Sequence, residues 1–377
     1  MRSVCTIVNF DYLSQATVLF DSLKATNSDI NYYVLLLDGK EDPLDLIPGV
    51  ITIHPNQLNV SGKTFLEMCA YYDVIELATS LKPFLLRYLI DLGSTSVLYL
   101  DPDVQVFSSL EKVFTYTEDF GTTITPHRLT PTSGANPGFH ELSFLRYGVY
   151  NLGYIGVTSS SIKMLDWWSQ RLVRYSGKFP EENIFTDQKW IDLARAYFDF
   201  YVISDRTLNI APWNLDERSL YYLNEKLMCE DGPVVFIHFS QLSSSLSRGI
   251  FLPYWQQTLG EAEKDFRSLD IISGITATYS ELLQTANKKN VQYPGKISRI
   301  RPHYKSSVYR KVLRDYYLKA DLNSNSLKIE KHFSRHFKKQ FDKLLIKLER
   351  SFLFRYSVYG LGVDLSRLVA KFKKHPH

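Results

Sequence analysis

The sequence predicts an α/β protein: a Rossmann-like, mostly parallel, doubly wound sheet over residues 1–250, followed by a basic, mainly helical C-terminal region over residues 251–377. Three observations lead there. Short β-branched apolar runs that end in Asp, Gly or Pro alternate with longer segments whose apolar residues recur every three or four positions. The composition, 45% hydrophobic and 22% charged over 377 residues, suits a chain that buries a large core and not a disordered one. Charge is also split. Residues 291–377 carry 21 Lys+Arg against 6 Asp+Glu, whereas the preceding 290 residues carry 23 against 34.

The elements follow in order. "SVCTIVNF" reads as a strand, and "LSQATVLFDSLKATN" as a helix with Ser14 as its cap. "NYYVLLLDG" is a second strand closed by Asp-Gly, and "VITIHP" a third. "EMCAYYDVIELATSLKPFLLRYLIDLG" reads as helices closed by Gly93, after which "SVLYLDPDVQVF" returns to strand. "FGTTITPH" is a strand, "RLTPTSGANPGFHE" a loop, and "YNLGYIGVTSS" a strand before the helix "SIKMLDWWSQRLVRYS". "FTDQKWIDLARAYF" is helical, and "GPVVFIHFS" is the strand expected to close the α/β body. No internal repeat is visible.

Composition excludes several classes. Three widely spaced cysteines, Cys5, Cys69 and Cys229, without a CxxC pair, argue against a disulfide framework or a cysteine metal site and suit a reducing compartment. The first apolar run is cut short by Asn9 and Asp11, so no signal sequence is expected. No apolar window approaches the roughly 18 residues of a membrane span. The expected location is cytoplasmic.

The chemistry concentrates in "VLYLDPDV". Asp101 and Asp103 lie just past the end of an apolar strand, where doubly wound sheets bind their ligands. Two carboxylates one residue apart repel unless something cationic joins them. A divalent cation, Mn²⁺ or Mg²⁺, would do so, and such ions take phosphate oxygens as further ligands. A plain Asp-Pro-Asp turn accounts for the spacing equally well.

The order of motifs over residues 4–240 resembles the nucleotide-sugar glycosyltransferases of the GT-A fold, nearest to the retaining enzymes of glycosyltransferase family 8. The resemblance implies that Val8, Asn9 and Tyr12, with Ser22-Leu23 further along the helix, form the nucleoside end of a donor site. Asn9 and Asp11 here exchange the family's usual acidic and amide residues. It implies a metal site of Asp101, Asp103 and the His238 of "VVFIHFS", with Asp101 also near the donor. Lys82 and Arg87 would reach donor phosphate or sugar hydroxyls, with a salt-bridged solvent face as the plain alternative. In "YNLGYIG" Asn151 would touch the donor sugar, and Gly153 would let backbone approach it. In "FTDQKWID" Asp187 and Gln188 would stand beside the anomeric carbon, although Asp187 reads equally as a helix N-cap and Lys189 replaces the family's third acidic residue. The family's Lys-Pro-Trp after the histidine is absent, which leaves Arg248 as the nearby cation.

The tail segment "KIEKHFSRHFKKQFDKLLIKLERSF" spaces Ile329, Phe333, Phe337, Phe341, Leu344, Leu345, Leu348 and Phe352 mostly three and four apart, with basic residues between. It is expected to meet an anionic membrane surface through residues 291–377, or to pack on the body or on a second copy in a homo-oligomer. No motif for nucleic acid is present. The resulting expectation is a metal-dependent hexosyltransferase, using a nucleotide sugar (UDP-sugar favoured) and a glycan or lipid-linked acceptor. It would act with retention, in bacterial surface-polysaccharide or lipopolysaccharide synthesis, peripheral on the cytoplasmic face of the inner membrane. A sugar nucleotidyltransferase would need a glycine-rich loop after the first strand, which "VNFDYLSQAT" lacks. A catalytically silent GT-A binder would have no need of the full set of candidate residues.

Overall fold

The computed structural model describes residues 1–38, 46–132, 137–179, 182–240, 242, 266–290, 310 and 313–315. Its backbone contacts divide the chain into two compact units. One comprises residues 1–62 and 72–301, the other residues 63–71 and 302–377. The expected change at residue 250 falls in a segment outside the described residues, as do Arg248 and nearly all of the basic tail. Among the described residues no helix is long and apolar enough to cross a membrane.

The first unit is a mixed α/β structure around a mostly parallel seven-stranded sheet. Its strands, in chain order, are β1 (Arg2–Val8), β2 (Asn31–Leu36), β3 (Ile51–Ile53), β4 (Ser96–Leu100), β6 (Thr123–Pro126), β7 (Tyr150–Thr158) and β10 (Tyr201–Val202); β5 (Val104–Val106), β8 (Lys178–Phe179) and β9 (Ile184–Phe185) lie in smaller sheets, and helices α4 (Glu111–Phe120) and α5 (Pro137–Tyr147) connect β5 to β6 and β6 to β7. They are arranged β10-β6-β7-β4-β1-β2-β3 across the sheet. Pairing is parallel except around β7, which runs antiparallel to both β4 and β6. Every residue of β4 is buried, as expected of a central strand read as one continuous apolar run. Helix α1 (Leu13–Thr26) packs its apolar face on the sheet, where Leu19, Phe20 and Leu23 join Val4, Val34, Leu98 and Leu100 in one core. A second core forms around α8 (Phe266–Asn290), whose Ile272, Tyr279 and Leu283 meet Ile237, Phe239 and Val18.

Several local details differ from the sequence reading. Ser14 does not cap α1. Tyr12 holds the cap position without a side-chain bond, and the Ser14 hydroxyl donates instead to Asn287 Oδ1 on α8 at 2.5 Å. The long helical stretch before Gly93 breaks into α2 (Gly62–Tyr71) and α3 (Val74–Asp91) because Asp73 starts a new helix. Its carboxylate accepts from the Ile75 and Glu76 amides, while Glu76 accepts from the Asp73 amide, a reciprocal capping box. Gly93 then closes α3 at φ +98°, a conformation that suits glycine.

The strand expected to close the body does something else. It splits into β13 (Gly232–Pro233), which completes a hairpin sheet with β11 (Tyr221–Leu223) and β12 (Lys226–Cys229), and β14 (Phe236–His238). β14 leaves the main sheet and pairs antiparallel with β5 (Val104–Val106), the strand that follows the Asp-Pro-Asp turn. His238 is thereby set in register with Val104, and the Phe239 amide donates to the Asp103 carbonyl at 2.8 Å. Two segments some 135 residues apart in sequence are joined at the edge where the parallel strands end.

Candidate active site

The site is built from the turn after β4. The Asp101 amide donates to the Gly153 carbonyl at 2.9 Å, and the Val104 amide to the Asp101 carbonyl at 3.1 Å, so the turn is held by β7 and by itself. His238 Nε2 lies 3.1 Å from Asp103 Oδ1 and 3.8 Å from Asp101 Oδ2. One donor atom from each of the three residues falls within 4.8 Å of the others. Burial pulls the His238 imidazolium down, but Asp103 and Asp101 outweigh it and raise its pKa.

The other oxygen of Asp101 faces inward. Its Oδ1 accepts from Tyr99 Oη at 2.8 Å and lies 3.4 Å from Lys82 Nζ. Lys82, only 1% exposed, projects from α3 beneath the turn. Its ammonium meets Asp187 Oδ2 at 2.8 Å, donates to the Leu152 carbonyl at 2.7 Å and sits 4.5 Å from the Tyr99 ring centroid. Burial pulls the ammonium down, while the Asp101 and Asp187 charges more than compensate and keep it protonated. Burial pushes the Asp187 carboxyl up, against the opposing effect of Lys82.

Asp187 occupies the N-cap position of α7 (Gln188–Ala194), yet its carboxylate makes no cap bond and turns to Lys82. Trp168 Nε1, from α6 (Ile162–Leu172), holds its carbonyl at 3.2 Å. Asp187 Oδ2 is thus held by the Lys82 ammonium at 2.8 Å.

β7 supplies the remaining wall. The β6–β7 ladder is irregular between Ile124 and Thr125, where Thr125 pairs with Asn151 after Ile124 has paired with Ile155. This re-aims Asn151, whose Oδ1 accepts from the Gly153 amide (3.0 Å) and Asn209 Nδ2 (3.0 Å) and lies 3.3 Å from His238 Nδ1. Gly153 is required by space. A Cβ there would sit 2.5 Å from His238 Cε1 and Nδ1 and 2.7 Å from Asn151 Oδ1. The glycine's role in this structure is thus to leave room for the imidazole.

Other candidates fall on either side of the site. Tyr12 is half-buried, and its phenol is pushed up by burial and then by Asp103, Asp11, Asp73 and Asp101. Asn9 is buried. Its Nδ2 donates to Asp11 at 3.1 Å, while its Oδ1 has no hydrogen-bond partner among the described residues. Val8 is a core side chain whose carbonyl accepts from the Leu37 amide, so it lines the interior and not the cleft. Gln188 donates to the Tyr147 carbonyl at 2.8 Å, and no described interaction joins it to the cluster. Arg87 is not in the site. Five residues from Lys82 turn it about 140° around the helix, where it pairs with Asp91 (2.9 Å) and with Asp166 on α6 (2.8 Å).

The sequence reading missed Tyr99, His127, Asn209 and Trp213. Of these only Asn209 carried a usable signal: it adopts φ +51°, in a "TLNIAPWN" segment whose asparagine and proline mark a special turn.

The donor set of two carboxylates and an imidazole, partly open to solvent at Asp101 and Asp103 and backed by a glycine that accommodates the ring, fits a hard divalent cation.

No protein-family model matches the chain. Uncharacterized protein YfnD of Bacillus subtilis (strain 168) is 22% identical over 253 residues, covering 62% of this chain and 76% of that protein. Similar solved structures are glycosyltransferases. Galactosyltransferase LgtC, solved with donor and acceptor sugar analogs, has a TM-score of 0.43 at 15% identity, over 70% of this chain and 98% of that one. Mouse xyloside xylosyltransferase 1 has a TM-score of 0.41 at 12% identity, covering 63% and 97%. GlyE of Streptococcus pneumoniae TIGR4 has a TM-score of 0.43 at 14% identity, covering 77% and 64%.

Proposed function

We propose that the protein is a GT-A glycosyltransferase that moves a hexose from a nucleotide sugar, UDP-sugar favoured, to a glycan or lipid-linked acceptor. The observation that carries this reading is the convergence of Asp101, Asp103 and His238 at the carboxyl edge of the parallel strands, with a buried Lys82–Asp187 pair directly behind them.

Asp101, Asp103 and His238 would hold Mn²⁺ or Mg²⁺, which when bound supplies Lewis-acid charge for a departing diphosphate. Lys82 adds fixed positive charge in a dry setting, held ready by Asp187, Asp101 and the Leu152 carbonyl. Asp187, whose carboxylate holds Lys82, would accept a hydrogen bond from a sugar hydroxyl with its remaining lone pairs. Asn9 Oδ1, without a partner among the described residues, would accept from an N–H of the nucleobase, with Tyr12 near it in sequence. Arg87 has no part in this scheme.

The finer reading is transfer with retention by a front-face route, in bacterial surface-polysaccharide or lipopolysaccharide synthesis, with the basic C-terminal region meeting anionic lipid at the cytoplasmic face. The core test is a thermal-shift and nucleotide-release screen of UDP-, GDP-, ADP- and TDP-sugars with Mn²⁺ or with chelator. A metal-dependent response to at least one donor is expected, and no response to any of them refutes the transferase reading. Product stereochemistry by NMR tests retention. Co-sedimentation with anionic against neutral vesicles tests the membrane step, and equal, negligible binding to both would remove it.

A further inference from the structure

We infer that His127 and Asn151 are positioning residues that anchor the Nδ1–H of His238, so that Nε2 is the nitrogen offered to an ion shared with Asp101 and Asp103. The inference rests on the proposed cation site and concerns residues outside the proposed ligand set. The hydrogen-bond directions can be assigned stepwise from one end. His127 Nδ1 lies 3.1 Å from the Val149 carbonyl, which can only accept, so Nδ1 carries the proton. Its Nε2 must then accept if the ring is neutral. Burial does keep it neutral, pulling its pKa down to about 4. Asn151 Nδ2, 3.3 Å away, is the donor to that nitrogen, which sets the orientation of the amide.

The Asn151 oxygen is thereby turned toward His238. The Gly153 amide and Asn209 Nδ2 reinforce that orientation, since both donate to the same Oδ1, and Asn209 Nδ2 also donates to Thr125 Oγ1 at 2.9 Å. His238 Nδ1, 3.3 Å from this oxygen, can only donate to it, which leaves Nε2 for the carboxylate side. Packing holds both rings in place: Trp213 meets His127 and His238 edge-on at 5.3 and 5.4 Å, and Phe144 stacks on His127 at 5.4 Å. A metal-ligating histidine needs its second nitrogen anchored in this way. Here the anchor is an asparagine, itself oriented by a second, buried histidine.

The test combines ¹⁵N-histidine NMR of the full-length protein saturated with diamagnetic Mg²⁺ and Mn²⁺ titration calorimetry, because without a cation Asp103 competes for a proton on Nε2. His238 and His127 signals are assigned by difference from His238→Gln and His127→Gln. With Mg²⁺ bound, the wild type is expected to carry the His238 proton on Nδ1. His127→Phe removes the acceptor for Asn151 Nδ2 and is expected to weaken Mn²⁺ binding about 10-fold. His127→Gln, which retains an acceptor near the Nε2 position, is expected to restore it. A Mg²⁺-bound wild type with an unprotonated His238 Nδ1 overturns the inference, as does a folded His127→Phe with unchanged Mn²⁺ affinity. If His127→Phe fails to fold, the wild-type spectrum alone decides. If the wild type binds neither ion, the proposed function fails, while the tautomer of His127, expected to be Nδ1–H, still tests the relay.

Discussion

Replacing Lys82 with methionine keeps most of the side-chain volume and removes only the ammonium. Asp187 is then left 2% exposed with its ionic partner gone. Removing one member of a buried ion pair typically costs about 3–5 kcal/mol. Asp187 escapes part of that cost by taking a proton. Above the ordinary Asp pKa of about 3.9 the native variant then binds one more proton than the unfolded chain, so its stability falls by about 1.4 kcal/mol per pH unit. At that slope a deficit of about 3–5 kcal/mol is reached between about pH 6 and about pH 7.5.

In the wild type the raised Lys82 pKa works the other way. Its contribution is complete below the ordinary lysine pKa of about 10.4 and is lost only as pH rises through the folded value. Urea unfolding followed by fluorescence of the five tryptophans, at steps from about pH 5 to about pH 8, reads the difference. Lys82→Met is expected to lose ground steadily to the wild type as pH rises. Adding Asp187→Asn, which removes the charge that needs a partner, is expected to recover most of the loss at the upper end. A deficit independent of pH, or no recovery in the double variant, would refute the buried-pair account.

Other outcomes follow from the same geometry. Gly153→Ala is expected to leave a folded protein with impaired Mn²⁺ binding by calorimetry, because the new Cβ would lie 2.5 Å from the His238 ring. Asp103→Asn should weaken Mn²⁺ binding by more than the roughly hundredfold loss that an outer partner can cause, with the fold intact by circular dichroism. Arg87→Ala should change stability by about 1 kcal/mol or less in urea unfolding and leave donor-induced thermal shifts unaltered, because its pairs with Asp91 and Asp166 are on the surface.

The alternation of apolar runs and helical periods made the α/β architecture legible, because each local pattern reports which face of an element is buried. Asp101 and Asp103 stood out for the same reason: an apolar strand that stops at two carboxylates marks the end of a central strand. Where one period fits two faces, local reading ran out. Lys82 and Arg87 lie on the same helix, and only packing against β4 and α6 separates the buried ammonium from the surface guanidinium. Asp187 is at a helix start, and only the approach of Lys82 turns it from the cap to the site.

The sequence by itself determined the kind of sheet, the strand end that carries the carboxylates and the residue types available for binding a cation. Tertiary structure decided which of them meet. β14 leaves the main sheet to pair with β5 and bring His238 to Asp103, and an irregular β6–β7 ladder brings Asn151 and His127 behind it. Periodicity is a property of neighbouring residues, whereas this register is set by the packing of segments as much as 135 residues apart, where burial and hydrogen-bond satisfaction select one pairing among many.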